Sequence, residues 1–99
     1  MKIMKILGYK YAVKRDIAAN NSSWSAACNS KKMEIILPVD TERDQNMASA
    51  IIHETIEALD YHLELDLPHR AIMALEAGLY QVLVDNGVDL SPLLNGIDE

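Results

Sequence analysis

The hydrophobic period of this chain changes once, and that change decides its class. Up to Leu37, apolar and charged residues trade places in Lys2-Ile3-Met4-Lys5-Ile6-Leu7, in Tyr9-Lys10-Tyr11-Ala12-Val13-Lys14 and in Met33-Glu34-Ile35-Ile36-Leu37. A period near two belongs to strands with one face in a core. From Thr41 the spacing is helical: Ala48, Ile52, Ile56, Leu59 and Leu63 follow at intervals of four, four, three and four. At about 100° per residue they fall on one narrow face. Strands followed by helices, without alternation, predict an α+β fold: a small antiparallel sheet packed with two C-terminal helices.

Punctuation residues set the boundaries. Gly8 is a turn between the first two alternating runs, and Asn20-Asn21-Ser22-Ser23 is a loop by composition. Trp24 to Asn29 fits a short strand, Ser30-Lys31-Lys32 a turn, and Pro38 ends the strand after it. Thr41 with Asp44 three residues later approximates a capping box. Leu67-Pro68 breaks the helical run, with Pro68 at the first position of a second helix. That helix has Ile72, Leu75, Leu79 and Leu83 as its core stripe and Asn86-Gly87 as its stop. The expected organisation is one domain over residues 1–87, with strands in 1–40, a first helix in 41–66 and a second in 68–86. Residues 88–99 read as a tail.

Charge narrows the function classes. The formal net charge is −6, split into +4 over residues 1–40 and −10 over the rest. An acidic balance argues against nucleic acid as partner and against a small DNA-associated regulator. No run approaches the length of a membrane span, the first residues carry no secretory apolar stretch, and a single cysteine, Cys28, suits a reducing compartment. A cytoplasmic protein without a membrane partner is the expectation. Cys28 reads as packed rather than reactive, and His62, on the far flank of the first helix, as surface. Its size and an exposed sheet edge fit a monomer or a weak homodimer.

The residues with chemistry lie between Ile51 and Tyr80. His53 and Glu57 are four apart and share a helix face with Asp60 and Glu64, on the shoulder of the apolar stripe. A histidine and an acid one turn apart can reach one divalent cation, while the acid between them, Glu54, can polarise a water. This is the physical logic of the HExxH zinc helix. On the second helix Glu76 lies about 40° from the centre of its own apolar stripe, where a carboxylate is expensive unless paired or bound to metal. His69 precedes it by seven residues on nearly the same side. Antiparallel packing of the two helices brings His53, Glu57, His69 and Glu76 together as candidate ligands.

From Ile51 onward the chain resembles the small phage- and prophage-type zinc metallopeptidases of the zincin group. The likeness is carried by His53-Glu54 and by Leu75-Glu76-Ala77-Gly78-Leu79-Tyr80-Gln81-Val82-Leu83, which is similar to the second-helix ending LExGLYQVL of that family. With the strand Met33–Leu37 it covers roughly residues 1–87 and implies a minimal zincin-like fold, a metal-dependent peptidase and Glu54 as general base. The chain departs from the family where the second motif histidine belongs, because His53-Glu54-Thr55-Ile56-Glu57 reads HExxE. With His69 as third ligand the set is two His and one Glu, a catalytic zinc composition. With Glu76 it is one His and two Glu, which suits Mn²⁺ or Fe²⁺ better. The partner implied is a peptide or protein: a substrate aligned on Met33–Leu37 as edge strand or, for a catalytically inactive relative, a host or phage protein bound without turnover.

Overall fold

In the computed structural model, residues 2–15, 27–37 and 45–97 are described. Four strands, β1 (Lys2–Ile6), β2 (Tyr9–Arg15), β3 (Ala27–Asn29) and β4 (Glu34–Leu37), precede two helices, α1 (Gln45–Leu63) and α2 (His69–Asp85). The α+β class expected from the change of period is therefore the class observed. The loop at 20–23, Trp24, Pro38 and the Thr41–Asp44 cap lie outside the described residues.

The sheet order is β1-β2-β4-β3. β1 and β2 form an antiparallel hairpin with Ile6 opposite Tyr9, and β3 pairs antiparallel with β4. β2 and β4 are parallel, with Val13 opposite Ile35. The sheet is thus mixed, which corrects the antiparallel expectation. β4 inserts between β2 and its own hairpin partner and so runs with β2. It also corrects the edge: Met33–Leu37 is interior, and β3 is the edge strand beside the helices.

The β1–β2 turn has two residues, Leu7 and Gly8, at φ 53° and 83°. Two positive φ values in a two-residue loop make a type I′ turn, which favours Asn-Gly and in which leucine is strained. Leu7→Asn is expected to raise stability by about 0.5–1 kcal/mol, read as a higher urea midpoint at unchanged slope.

The sheet buries Ile6, Tyr11, Val13, Ile35 and Leu37 against Met47, Ile51 and Ala58 of α1. The opposite side of α1, at Ile52 and Ile56, packs on Ile72 of α2. α1 is therefore the middle layer with two buried faces, of which the expected stripe was one. Leu63, expected to continue that stripe, is exposed. α1 ends there, with Glu64 in the left-handed region and Leu65 N–H returning to the Asp60 carbonyl at 3.2 Å.

α2 starts one residue later than expected, with Pro68 as its extended N-cap. It stops as read: Gly87 sits at φ 76°, its N–H bonds to the Val84 carbonyl, and Val88 N–H bonds to the Leu83 carbonyl at 2.9 Å, a Schellman ending. Its core stripe differs from the expectation. Ile72 is buried and Leu83 partly so, whereas Leu75 and Leu79 are 45% and 44% exposed. Residues 88–97 are not a tail either, since Leu94 and Ile97 are buried in the main core. Lys2 Nζ donates to the carbonyls of Pro92 and Asn95 at 2.9 and 3.0 Å. Among the described residues no helix is long and apolar enough to cross a membrane.

Candidate metal centre

The two helices pack antiparallel. Contacts between them pair Ser49 and His53 with Glu76, and Glu57 with His69, so residue numbers rise on one helix as they fall on the other. One turn of α1 presents His53 and Glu57 on the same face, with His53 Nε2 and Glu57 Oε1 3.5 Å apart. Pro68 ends the connection and sets His69 as the first residue of α2, its Nδ1 4.0 Å from the same Glu57 oxygen. The ring centroids of His53 and His69 are 5.5 Å apart.

One ligand atom from each of His53, Glu57 and His69 lies within 4.8 Å of the other two. A tetrahedral ion with bonds of about 2.0–2.1 Å sets its ligands about 3.4 Å apart. Small side-chain adjustments bring this group to that spacing. Two imidazole nitrogens and one carboxylate oxygen also fit zinc chemically, and three protein ligands leave a position open.

Glu76 belongs to the site in a different role from the one expected. Its Oε1 accepts from His53 Nδ1 at 2.7 Å, and its Oε2 accepts from Ser49 Oγ at 2.5 Å. It is outside the three-residue group. Between a carboxylate and an imidazole the proton sits on Nδ1, which leaves Nε2 as the lone-pair donor facing Glu57. This is the orienting bond that metal-binding histidines commonly make. Of the two third-ligand candidates, the structure brings His69 into the group and sets Glu76 behind His53. Ser49 was not singled out in the sequence, although it precedes His53 by one turn on the same face. Glu76→Ala is expected to weaken zinc binding about 10–100-fold while leaving one site per chain. His69→Ala would take one of the three candidate ligands away outright. Competition against a chromophoric chelator separates the two outcomes.

Glu54 points the other way. It falls in line with Met47, Ile51 and Ala58 on the sheet-facing side and is 5% exposed. No hydrogen bond to it is found among the described residues. Burial pushes its carboxyl up to about 7; neighbouring His53 opposes that rise, while Glu57 and Glu76 add to it. Burial also raises the Cys28 thiol, which feels the charges of Glu54 and Glu57 from across on β3.

A cleft of about 780 Å³ opens beside the group, lined by Cys28, Ser30, Glu57, Tyr61, Leu67 and His69 among others. One wall is thus the edge strand β3 and its turn, the other the two helices. Asp60, on the His53 face, accepts from Leu67 N–H at 2.9 Å and holds the connection between the helices in place. His62, expected at the surface, is partly buried. It stacks on Tyr9 at 4.1 Å and its Nε2 meets Tyr11 Oη at 2.6 Å, tying the end of α1 to β2.

No protein family, no curated protein and no solved structure matches the chain. The likeness to zincins rests on the residues quoted for it in the sequence.

Proposed function

We propose that this chain is a small zincin-like, zinc-dependent peptidase with His53, Glu57 and His69 as metal ligands. The observation that carries the proposal is the grouping of their three ligand atoms within 4.8 Å, with His53 already held by Glu76. Zinc, when bound, supplies Lewis acidity that polarises a carbonyl and makes water a nucleophile at neutral pH.

The protein's own groups do the rest. Among the described residues β3 is the edge strand along the cleft, where an extended peptide can add as a further strand. Glu54 would accept the proton of the attacking water once its side chain turns from the sheet-facing side of α1 toward the cleft. A carboxyl raised to about 7 is poised for that exchange near neutral pH. Glu76 holds the His53 ring, and Ser49 holds Glu76.

A second reading is favoured by one observation: Glu54 is 5% exposed and does not line the cleft. On that reading the chain keeps the ion and the fold, performs no hydrolysis, and holds a host or phage protein in the same cleft. Zinc-loaded protein assayed on a casein-type substrate separates them. The peptidase reading expects turnover that Glu54→Gln lowers by about 10²–10⁴-fold with zinc retained. Zinc binding without turnover in the wild type leaves the binding protein. A chain that takes up no zinc removes both.

A further inference from the structure

We infer that the outward face of α2 is a contact surface for a second copy of this chain, paired antiparallel about a two-fold axis between Ala77 and Gly78. The face turned away from α1 runs through Arg70, Ala74, Gly78, Gln81 and Asp85, all exposed. At about 100° per residue they fall within about 80° of one another, with intervals of four, four, three and four. Apolar side chains flank this seam. Leu75 and Val82 are 45% and 58% exposed on one side, and Met73 and Val84 are 53% and 42% exposed on the other. Val84 also borders a small cleft with Ala48 and Leu94, while Met73, Leu75 and Val82 belong to neither buried apolar cluster.

The register follows from charge and size together. Antiparallel pairing about the 77/78 midpoint sets each residue opposite the one whose number completes the same sum. Arg70 then faces Asp85, and Ala74 faces Gln81. Ala77 and Gly78 meet at the axis. Parallel pairing sets Arg70 beside Arg70 and Asp85 beside Asp85, which repel. Neither Arg70 nor Asp85 has an ion-pair partner among the described residues. The seam is electrically balanced on a chain of net charge −6, so it is where two copies can meet without like-charge contact. Gly78 fits the same register. A Cβ built there meets nothing within 4 Å in the single chain, and glycine costs about 1 kcal/mol in a helix interior. At the axis its missing side chain lets two helix backbones approach closely, so that the apolar flanks interleave.

A helix of 17 residues presents a strip about 25 Å long, so the area buried is below the standard interface size. A weak, transient dimer is the expectation for a contact of that size. The metal group lies on the opposite side of α2, so zinc binding is independent of pairing.

Sedimentation equilibrium over about 5–500 µM protein, a range that brackets a weak interface, tests the pairing. The wild type is expected to shift from monomer to dimer. Val82→Glu, Gly78→Leu and Arg70→Asp should each raise the dissociation constant at least about tenfold with unchanged helical circular dichroism. The double variant Arg70→Asp with Asp85→Arg should recover association, because the swap restores both cross-pairs. Monomer throughout the range overturns the inference and leaves this face to a different partner. So does a dimer indifferent to the three substitutions, which would place the contact elsewhere, such as at the edge of the sheet.

Discussion

Zinc at 100 times its dissociation constant is expected to stabilise the folded chain by about 2.7 kcal/mol, because the ion binds the folded state and the three ligands are not gathered in the unfolded one. For a domain of this size each kcal/mol moves the melting temperature by about 4–8 °C, so a rise of about 10–20 °C is expected in differential scanning calorimetry. Chelation should reverse it. His53→Ala and His69→Ala should melt near metal-free wild type and gain little on zinc addition. The expectation rests on geometry: one ligand comes from each end of a single α1 turn, and the third from the first residue of α2. The ion would therefore link the two helices across the Ile52–Ile56–Ile72 cluster, which is small beside the core under the sheet. A melting temperature that zinc leaves unchanged in the wild type would count against the site.

Glu54→Gln is expected to make the metal-free protein more stable at pH 8, by about 3 kcal/mol. The sign comes from where the carboxyl sits. Its pKa is about 7 in the folded chain and near the ordinary 4.5 when unfolded. Between those values the unfolded chain loses its proton first and the folded chain retains it. Stability therefore falls as pH rises through that window, and the loss is complete above about pH 7. Below about pH 4.5 both states are protonated and the cost vanishes. Glutamine carries no charge at any pH, so the variant should lose this slope and converge with wild type in acid. Urea titrations at pH 4.5, 6 and 8 give the comparison. On the peptidase reading the same substitution removes activity, so stability and function move in opposite directions. Equal stability of the two proteins at pH 8 would mean that the Glu54 carboxylate is solvated.

The elements were legible in the sequence because each has a period and an end. Tyr11 and Val13, like Ile35 and Leu37, alternate with outward residues, and Asn86-Gly87 stops α2 where the chain stops it. The grouping of His53, Glu57 and His69 was legible for the same reason: four residues of helix fix His53 over Glu57, and antiparallel packing across a short connection delivers His69. Four features were not. The line Met47-Ile51-Glu54-Ala58 is a second buried face of α1, hidden because a carboxylate interrupts it and reads as solvent. Leu75 and Leu79 have core spacing, yet apolar period alone does not say which sector of a helix meets its neighbour. The burial of Leu94 and Ile97 depends on contacts with strands far away in the chain, which no local pattern encodes. The parallel pairing of β2 with β4 has the same origin, since strand order is a property of the whole sheet.

Glu76 shows how a correct signal can leave the geometry open. Its position near the apolar stripe flagged a carboxylate that needs a partner, and it has two, Ser49 and His53. What spacing could not distinguish is an acid that joins the His53–Glu57–His69 group from one that stands behind it, bonded to His53 and Ser49.

X-ray absorption at the zinc edge of the zinc-loaded wild-type chain reads the ligand set directly. The expected result is nitrogen and oxygen neighbours at about 2.0–2.1 Å, with the outer scattering of two imidazoles. A sulfur neighbour at about 2.3 Å, which would place Cys28 on the ion, or a chain that retains no zinc, would contradict the assignment of His53, Glu57 and His69.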